Sequence, residues 1–122
     1  MKFTLCVIIA SNDSYAIGYC YWNKLGTLSS FDNAFQYIEK SANEGNEYGQ
    51  HFLGYCFKHG YGTKKNPIKA FYWYLKSAEQ GLASSQIVIA DLYIQGQGCE
   101  KNQKKSKIWR KKARKQKHYA FY

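Results

Sequence analysis

Apolar and small residues recur along this chain at helical spacing, and they do so in a repeating series. Ala34, Tyr37, Ile38, Ser41 and Ala42 fall at i, i+3, i+4, i+7 and i+8, which draws one buried stripe down a helix. The stripe returns as Ala70, Trp73, Tyr74, Ser77 and Ala78. These patterns predict helices over about Phe31–Glu44 and Pro67–Gln80, with a third, about Gln103–Gln116, in the same phase. Between them runs a second series whose inner face carries Leu53, Gly54 and Phe57, then Ile89, Ala90 and Tyr93. It predicts helices over Glu47–His59 and Ala83–Gln95, with a partial copy at Ser14–Asn23. The punctuation agrees. Ser30, Asn66 and Asn102 stand where N-caps belong, and Pro67 occupies a first helical position. Gly45 and Gly81 sit where a left-handed residue closes a helix. Gly60-Tyr61-Gly62 and Gly96-Gln97-Gly98 read as turns between units.

Both series share one period. Phe31–Asn66 and Pro67–Asn102 superimpose at an offset of 36 residues, with identities that include Ala34/Ala70, Phe35/Phe71, Lys40/Lys76, Ser41/Ser77, Gln50/Gln86, Gly60/Gly96 and Asn66/Asn102. Ile17–Tyr21 echoes Leu53–Phe57, and Ser106, Trp109 and Lys112 echo Ala70, Trp73 and Lys76. A fixed period of this size predicts an all-α, right-handed α/α solenoid of helix-turn-helix repeats, each burying its apolar face only against its neighbours. The bounds that follow are an apolar N-terminal segment 1–13, a partial repeat 14–30, repeats 31–66 and 67–102, and a basic terminal half-repeat 103–122.

The string Ala70-Phe71-Tyr72-Trp73-Tyr74-Leu75-Lys76-Ser77-Ala78-Glu79-Gln80-Gly81, preceded by Gly60-x-Gly62-Thr63-Lys64-Lys65-Asn66, resembles the Sel1-like repeat (SLR), an α/α solenoid related to tetratricopeptide repeats. Leu53–Phe57 and Ala70–Ala78 are most similar to the expanded SLR arrays of arbuscular mycorrhizal fungi. Asp91 in place of Tyr19 and Tyr55, and Cys99 in place of Thr63, depart from the pattern. SLR proteins are mostly adaptors that assemble complexes, so the resemblance implies a non-enzymatic protein-binding scaffold and leaves the partner unstated. The expected docking surface is a concave face lined by the first helix of each unit as bounded above. Gln36, Lys40, Tyr72 and Lys76 stand off the buried stripe there and are the candidate partner contacts. An aromatic beside lysines suits a mildly acidic partner.

Charge adds a second candidate. Eighteen Lys and Arg against eight Asp and Glu give a net charge of +10. The whole excess lies between Lys101 and Lys117, and the candidate basic patch is Lys104, Lys105, Lys107, Arg110, Lys111, Lys112, Arg114, Lys115 and Lys117. One reading is the polar outer face of a capping unit. The other is an electrostatic contact with nucleic acid, anionic lipid or an acidic protein.

The remaining features argue against chemistry. Met1–Ala10 is the one strongly apolar run, far short of the ~20 residues a membrane span needs. It reads as the stub of a preceding repeat helix, with a signal peptide as the alternative; the location expected is cytoplasmic, or secreted on that alternative. Of Cys6, Cys20, Cys56 and Cys99, the middle two share one repeat position and should lie about 10 Å apart, too far for a disulfide. Free, mostly buried thiols and a reducing compartment follow. His51 and His59 could share a helix face, but Cys56 falls off it, so no metal site is expected. No Ser/His/Asp signature or phosphate loop is visible, and the tryptophans and tyrosines read as core filling. The expectation is no catalytic residue, no cofactor and no small-molecule substrate.

Overall fold

A computed structural model of the chain describes residues 14–22 and 31–116. Among them are six helices: α1 (Ser14–Trp22), α2 (Phe31–Asn43), α3 (Glu47–His59), α4 (Pro67–Glu79), α5 (Ala83–Gln95) and α6 (Gln103–Arg114). Each packs chiefly on the helices before and after it in the chain. No strand occurs among the described residues. Met1–Ala10, the Ser30 cap and Lys117 lie outside the described residues.

Local chemistry sets the boundaries. Asn66 Oδ1 accepts from the Lys69 N–H at 3.1 Å and Asn102 Oδ1 from the Lys105 N–H at 2.9 Å, as expected of N-caps. The same asparagines fix the turn, because their own N–H groups donate to Phe57 O and Tyr93 O of the preceding helix at 2.8 and 2.9 Å. Asn46, not singled out from the sequence, caps α3 by accepting from the Tyr48 and Gly49 N–H groups. Helices α2 and α4 stop one residue earlier than their stripes suggested. The reason is the closing motif: Gly45 (φ +92°) and Gly81 (φ +103°) turn left-handed, and the N–H groups of Asn46 and Leu82 reach back to Ser41 O and Ser77 O.

The core is a column of small and bulky residues in alternation. Ala34, Ile38 and Ala42 of α2, Leu53, Cys56 and Phe57 of α3, Ala70, Tyr74 and Ala78 of α4, and Ile89, Leu92 and Tyr93 of α5 are buried together. Each large apolar side chain so buried contributes about 2 kcal/mol. Tyr37 and Trp73, read as core, are only partly covered, and Tyr37 stacks on Tyr21 at 5.6 Å. Gly54 allows α3 to approach α4, because a Cβ there would lie 2.8 Å from the Tyr74 ring. Successive interfaces repeat in register: Phe35 meets Phe57 edge-on at 5.8 Å, and Phe71 meets Tyr93 at 5.2 Å.

Candidate interaction surface

Gln36, Lys40, Tyr72 and Lys76 are all exposed, on α2 and α4. The repeat carries this surface one helix further. Ile108 and Lys112 of α6 stand at the positions of Tyr72 and Lys76, and both are exposed. Two rows therefore cross the stack, Gln36–Tyr72–Ile108 and Lys40–Lys76–Lys112. The lysines are held over rings: Lys76 Nζ lies 5.2 Å from the Tyr72 ring centre and 5.7 Å from that of Trp73, and Lys112 Nζ lies 4.4 Å from Trp109.

The basic helix is not one patch. Arg110 donates to Asp91 at 2.7 Å. Lys105 lies over Tyr93 at 5.7 Å, as Lys69 does over Phe57 at 5.4 Å. Lys107 and Arg114 take the places of Phe71 and Ala78, the residues by which α4 receives α5. A further unit packed on α6 as α5 packs on α4 would bring these two cations into the interface. Lys104, Lys111, Lys112 and Lys115 are exposed around Ile108, at its i−4, i+3, i+4 and i+7 neighbours. The cations of α6 therefore fall on different sides of one helix.

Three interactions escaped the sequence reading. Asp91 and Arg110 stand where the preceding unit has Tyr55 and Tyr74, and they form an ion pair. Opposite charges at two departures from the repeat were the available signal. Next, Gln80 donates to Gly45 O at 2.8 Å and to Gln50 Oε1 at 2.7 Å, and Gln116 repeats this with Gly81 O and Gln86 Oε1 at 2.7 and 3.2 Å. The Gln80/Gln116 identity at the 36-residue offset was its signal.

The third is a chain of hydrogen bonds through three helices. Ser77 Oγ donates to Glu47 O at 2.7 Å, so its single proton is committed. The 2.6 Å contact with Ser85 Oγ then requires Ser85 as donor, and the 2.6 Å contact of Ser85 with His51 Nδ1 requires His51 to donate. Burial holds His51 at a pKa of about 4, below its usual 6.5. Both serines are fully buried, so no substrate reaches them, and these hydrogen bonds tie α3, α4 and α5 together. The histidines and cysteine weighed for a metal are dispersed: His59 clusters with the rings of Tyr55 and Tyr61 at 4.4 and 5.7 Å, and Cys56 is buried with its thiol pushed up to about 12. Cys56 and Cys99 are free thiols. Among the described residues no group of three or more His, Cys, Asp or Glu could hold a metal, and no helix is long and apolar enough to cross a membrane.

Stacked helix pairs joined by left-handed glycine turns, with register-repeated contacts between units, define an α-solenoid. The chain belongs to the Sel1 repeat family, whose pattern matches residues 14–46, 47–82 and 83–118. The family's unit begins one helix before the bounds 31–66 and 67–102 and pairs α1 with α2, α3 with α4, and α5 with α6. The chain is similar to a Sel1 repeat protein from Oxalobacter formigenes, with 32% identity and a TM-score of 0.82 over 91% of this chain and 47% of that one. It is also similar to c5321, a protective antigen of uropathogenic Escherichia coli with an SLR fold, at 27% identity and TM-score 0.82, over 91% of this chain and 24% of that one. Helicobacter pylori cysteine rich protein B shares the fold at 22% identity and TM-score 0.71, over 92% of this chain and 80% of that one. The chain thus spans about half or less of the first two structures. No curated protein matches it. Sel1 repeat proteins generally serve as protein-interaction scaffolds and are typically non-enzymatic.

Proposed function

We propose that this chain is a non-enzymatic adaptor that binds a peptide or helix of another protein on the face presented by α2, α4 and α6, taken as the concave side of the stack. One observation carries the reading: the rows Gln36–Tyr72–Ile108 and Lys40–Lys76–Lys112 are exposed while Ala34, Ile38 and Ala42, Ala70, Tyr74 and Ala78, and Ser106 and Ala113 of the same helices are buried. Tyr72 is 50% exposed although its neighbours at i+2 and i+5 are core. Aromatic side chains fixed on a rigid scaffold supply contact area at small cost in conformational entropy. The free thiols of Cys56 and Cys99 support a reducing, cytoplasmic setting. A photo-cross-linker at position 72, compared with one at position 48 on α3, tests the reading in extract of the native source. Tyr72-directed adducts that disappear in a Lys40→Ala, Lys76→Ala background are the expected result; equal labelling from both positions rejects the face.

A second reading has its own observation. Lys104, Lys111, Lys112 and Lys115 form an exposed cationic surface around Ile108. It supports an electrostatic binder of nucleic acid, anionic membrane or an acidic protein. Binding that charge reversal at Lys111, Lys112 and Lys115 abolishes, and that Tyr72→Ala leaves unchanged, is its signature.

A further inference from the structure

The outward faces of α2, α4 and α6 change character in chain order. Exposed on α2 are Gln36, Glu39 and Lys40; on α4, Ile68, Tyr72, Lys76 and Glu79; on α6, Ile108 among Lys104, Lys111, Lys112 and Lys115. Ile68, Tyr72 and Ile108 are 72%, 50% and 54% exposed, the largest apolar exposure on these three helices. An apolar strip therefore runs between a face of mixed charge and a face of one sign.

We propose that this surface docks an amphipathic acidic helix of another protein, lying across the stack. Its apolar residues rest on Ile68, Tyr72 and Ile108, and its carboxylates gather at the end that lies over α6. The proposal rests on the adaptor reading and adds the partner's chemistry and direction.

Charge complementarity selects the occupant. The unpaired cations concentrate on one helix of three, and Glu39 and Glu79 are exposed on the other two. A polyanion or an anionic bilayer covering the face would meet those carboxylates, whereas a helix acidic at one end only would not. Lys76 and Lys112 already lie on ring faces, which lowers the cost of ordering them on binding.

The test is selection of displayed helical peptides of about 20 residues, long enough to cross three rows, on the full chain and on its K111E/K112E/K115E variant. Circular dichroism and thermal melts confirm that every variant keeps its helices. Peptides enriched on the natural chain should carry an apolar stripe with Asp and Glu clustered toward one end. That cluster should vanish on the charge-reversed variant. Tyr72→Ala with Ile108→Ser should weaken the best peptide about 10-fold or more. A photo-cross-linker at its acidic end should label α6, and one at the other end α2. Absence of enrichment, enrichment without acidic bias, or a bias unchanged by the reversal overturns the proposal. So does tighter binding of phosphatidylserine vesicles or a single-stranded oligonucleotide that survives Tyr72→Ala with Ile108→Ser. Peptides without acidic bias that still depend on Tyr72 and Lys76 overturn the direction and leave the adaptor face standing; indifference to both residues removes the face itself.

Discussion

Acid should destabilise this stack through one histidine. His51 donates from Nδ1 to Ser85 Oγ at 2.6 Å, turns its ring edge to Tyr74 at 5.1 Å, and lies beside Trp22, Phe52 and Tyr55. That aromatic surround lowers its pKa from 6.5 to about 4 by excluding water. Above pH 6.5 the side chain is neutral folded and unfolded, and its titration leaves stability unchanged. Below it, the unfolded chain binds a proton that the folded chain refuses until about pH 4, so stability falls with pH. Each pH unit removes about 1.4 kcal/mol, or about 2 kcal/mol by pH 5. For a domain of this size that lowers Tm by about 8 °C. Burial also lowers the pKa of His59, helped by Lys58 and Lys65, but His59 is exposed and its part is smaller. Urea unfolding at pH 7.5, 6 and 5 should show most of the loss in the natural chain and in His59→Gln, and a much shallower profile in His51→Gln. An equal loss in His51→Gln refutes the reasoning, as does an NMR titration of His51 with its midpoint near 6.5.

Gly98 has φ +71°, and a Cβ there would collide with the Pro67 carbonyl oxygen, whereas a Cβ at Gly81 (φ +103°) meets open space. Gly98→Ala should therefore cost about 3 kcal/mol and Gly81→Ala about 1 in denaturant unfolding, where equal costs would show that strain alone matters. Gln80→Ala strips partners from Gly45 O and Gln50 Oε1 and should cost about 1–2 kcal/mol by the same assay. The Asp91–Arg110 pair is 52% and 36% exposed, so a double-mutant cycle should give a coupling below about 1 kcal/mol that fades in high salt.

Much of the fold was legible because its signals are local. The stripe Ala34–Ala42 carries the helical period in itself, and Gly45, Gly81, Asn66 and Asn102 mark ends by conformations and caps that few other residues supply. The helix ends drifted by a residue because a closing motif consumes the last positions of the stripe. Solvent exposure of Gln36, Lys40, Tyr72 and Lys76 was legible for the same reason, since a residue off a stripe faces away from it. The hydrogen bonds of His51 and Ser85 were not. Ser85 reads as Gly49 in the preceding unit and His51 as Ile87 in the following one, so no repetition flags them, and their contact joins residues 34 apart. Only the stacking of α3, α4 and α5 brings them together.

The basic helix shows most clearly what a linear reading averages away. Ten cations in one stretch invite a single explanation, and cap and binding patch then compete as rivals. The repeat register separates them, because each α6 position has a counterpart on α4 whose neighbours are known. Lys107 and Arg114 stand where α4 packs on α5, and Arg110 stands where Tyr74 packs on α3, opposite an aspartate that replaces a tyrosine. Those cations are explained by what an apolar residue does one unit earlier. Lys112 and Lys115 match Lys76 and Glu79, which are exposed one unit earlier, so stacking does not require a charge there; Lys111 matches Leu75, which packs against the core, and sits on the side of Lys107 and Arg114. On the adaptor reading, the register assigns the cations on one side of the helix to the end of the stack and leaves Lys104, Lys112 and Lys115 around Ile108 for a partner.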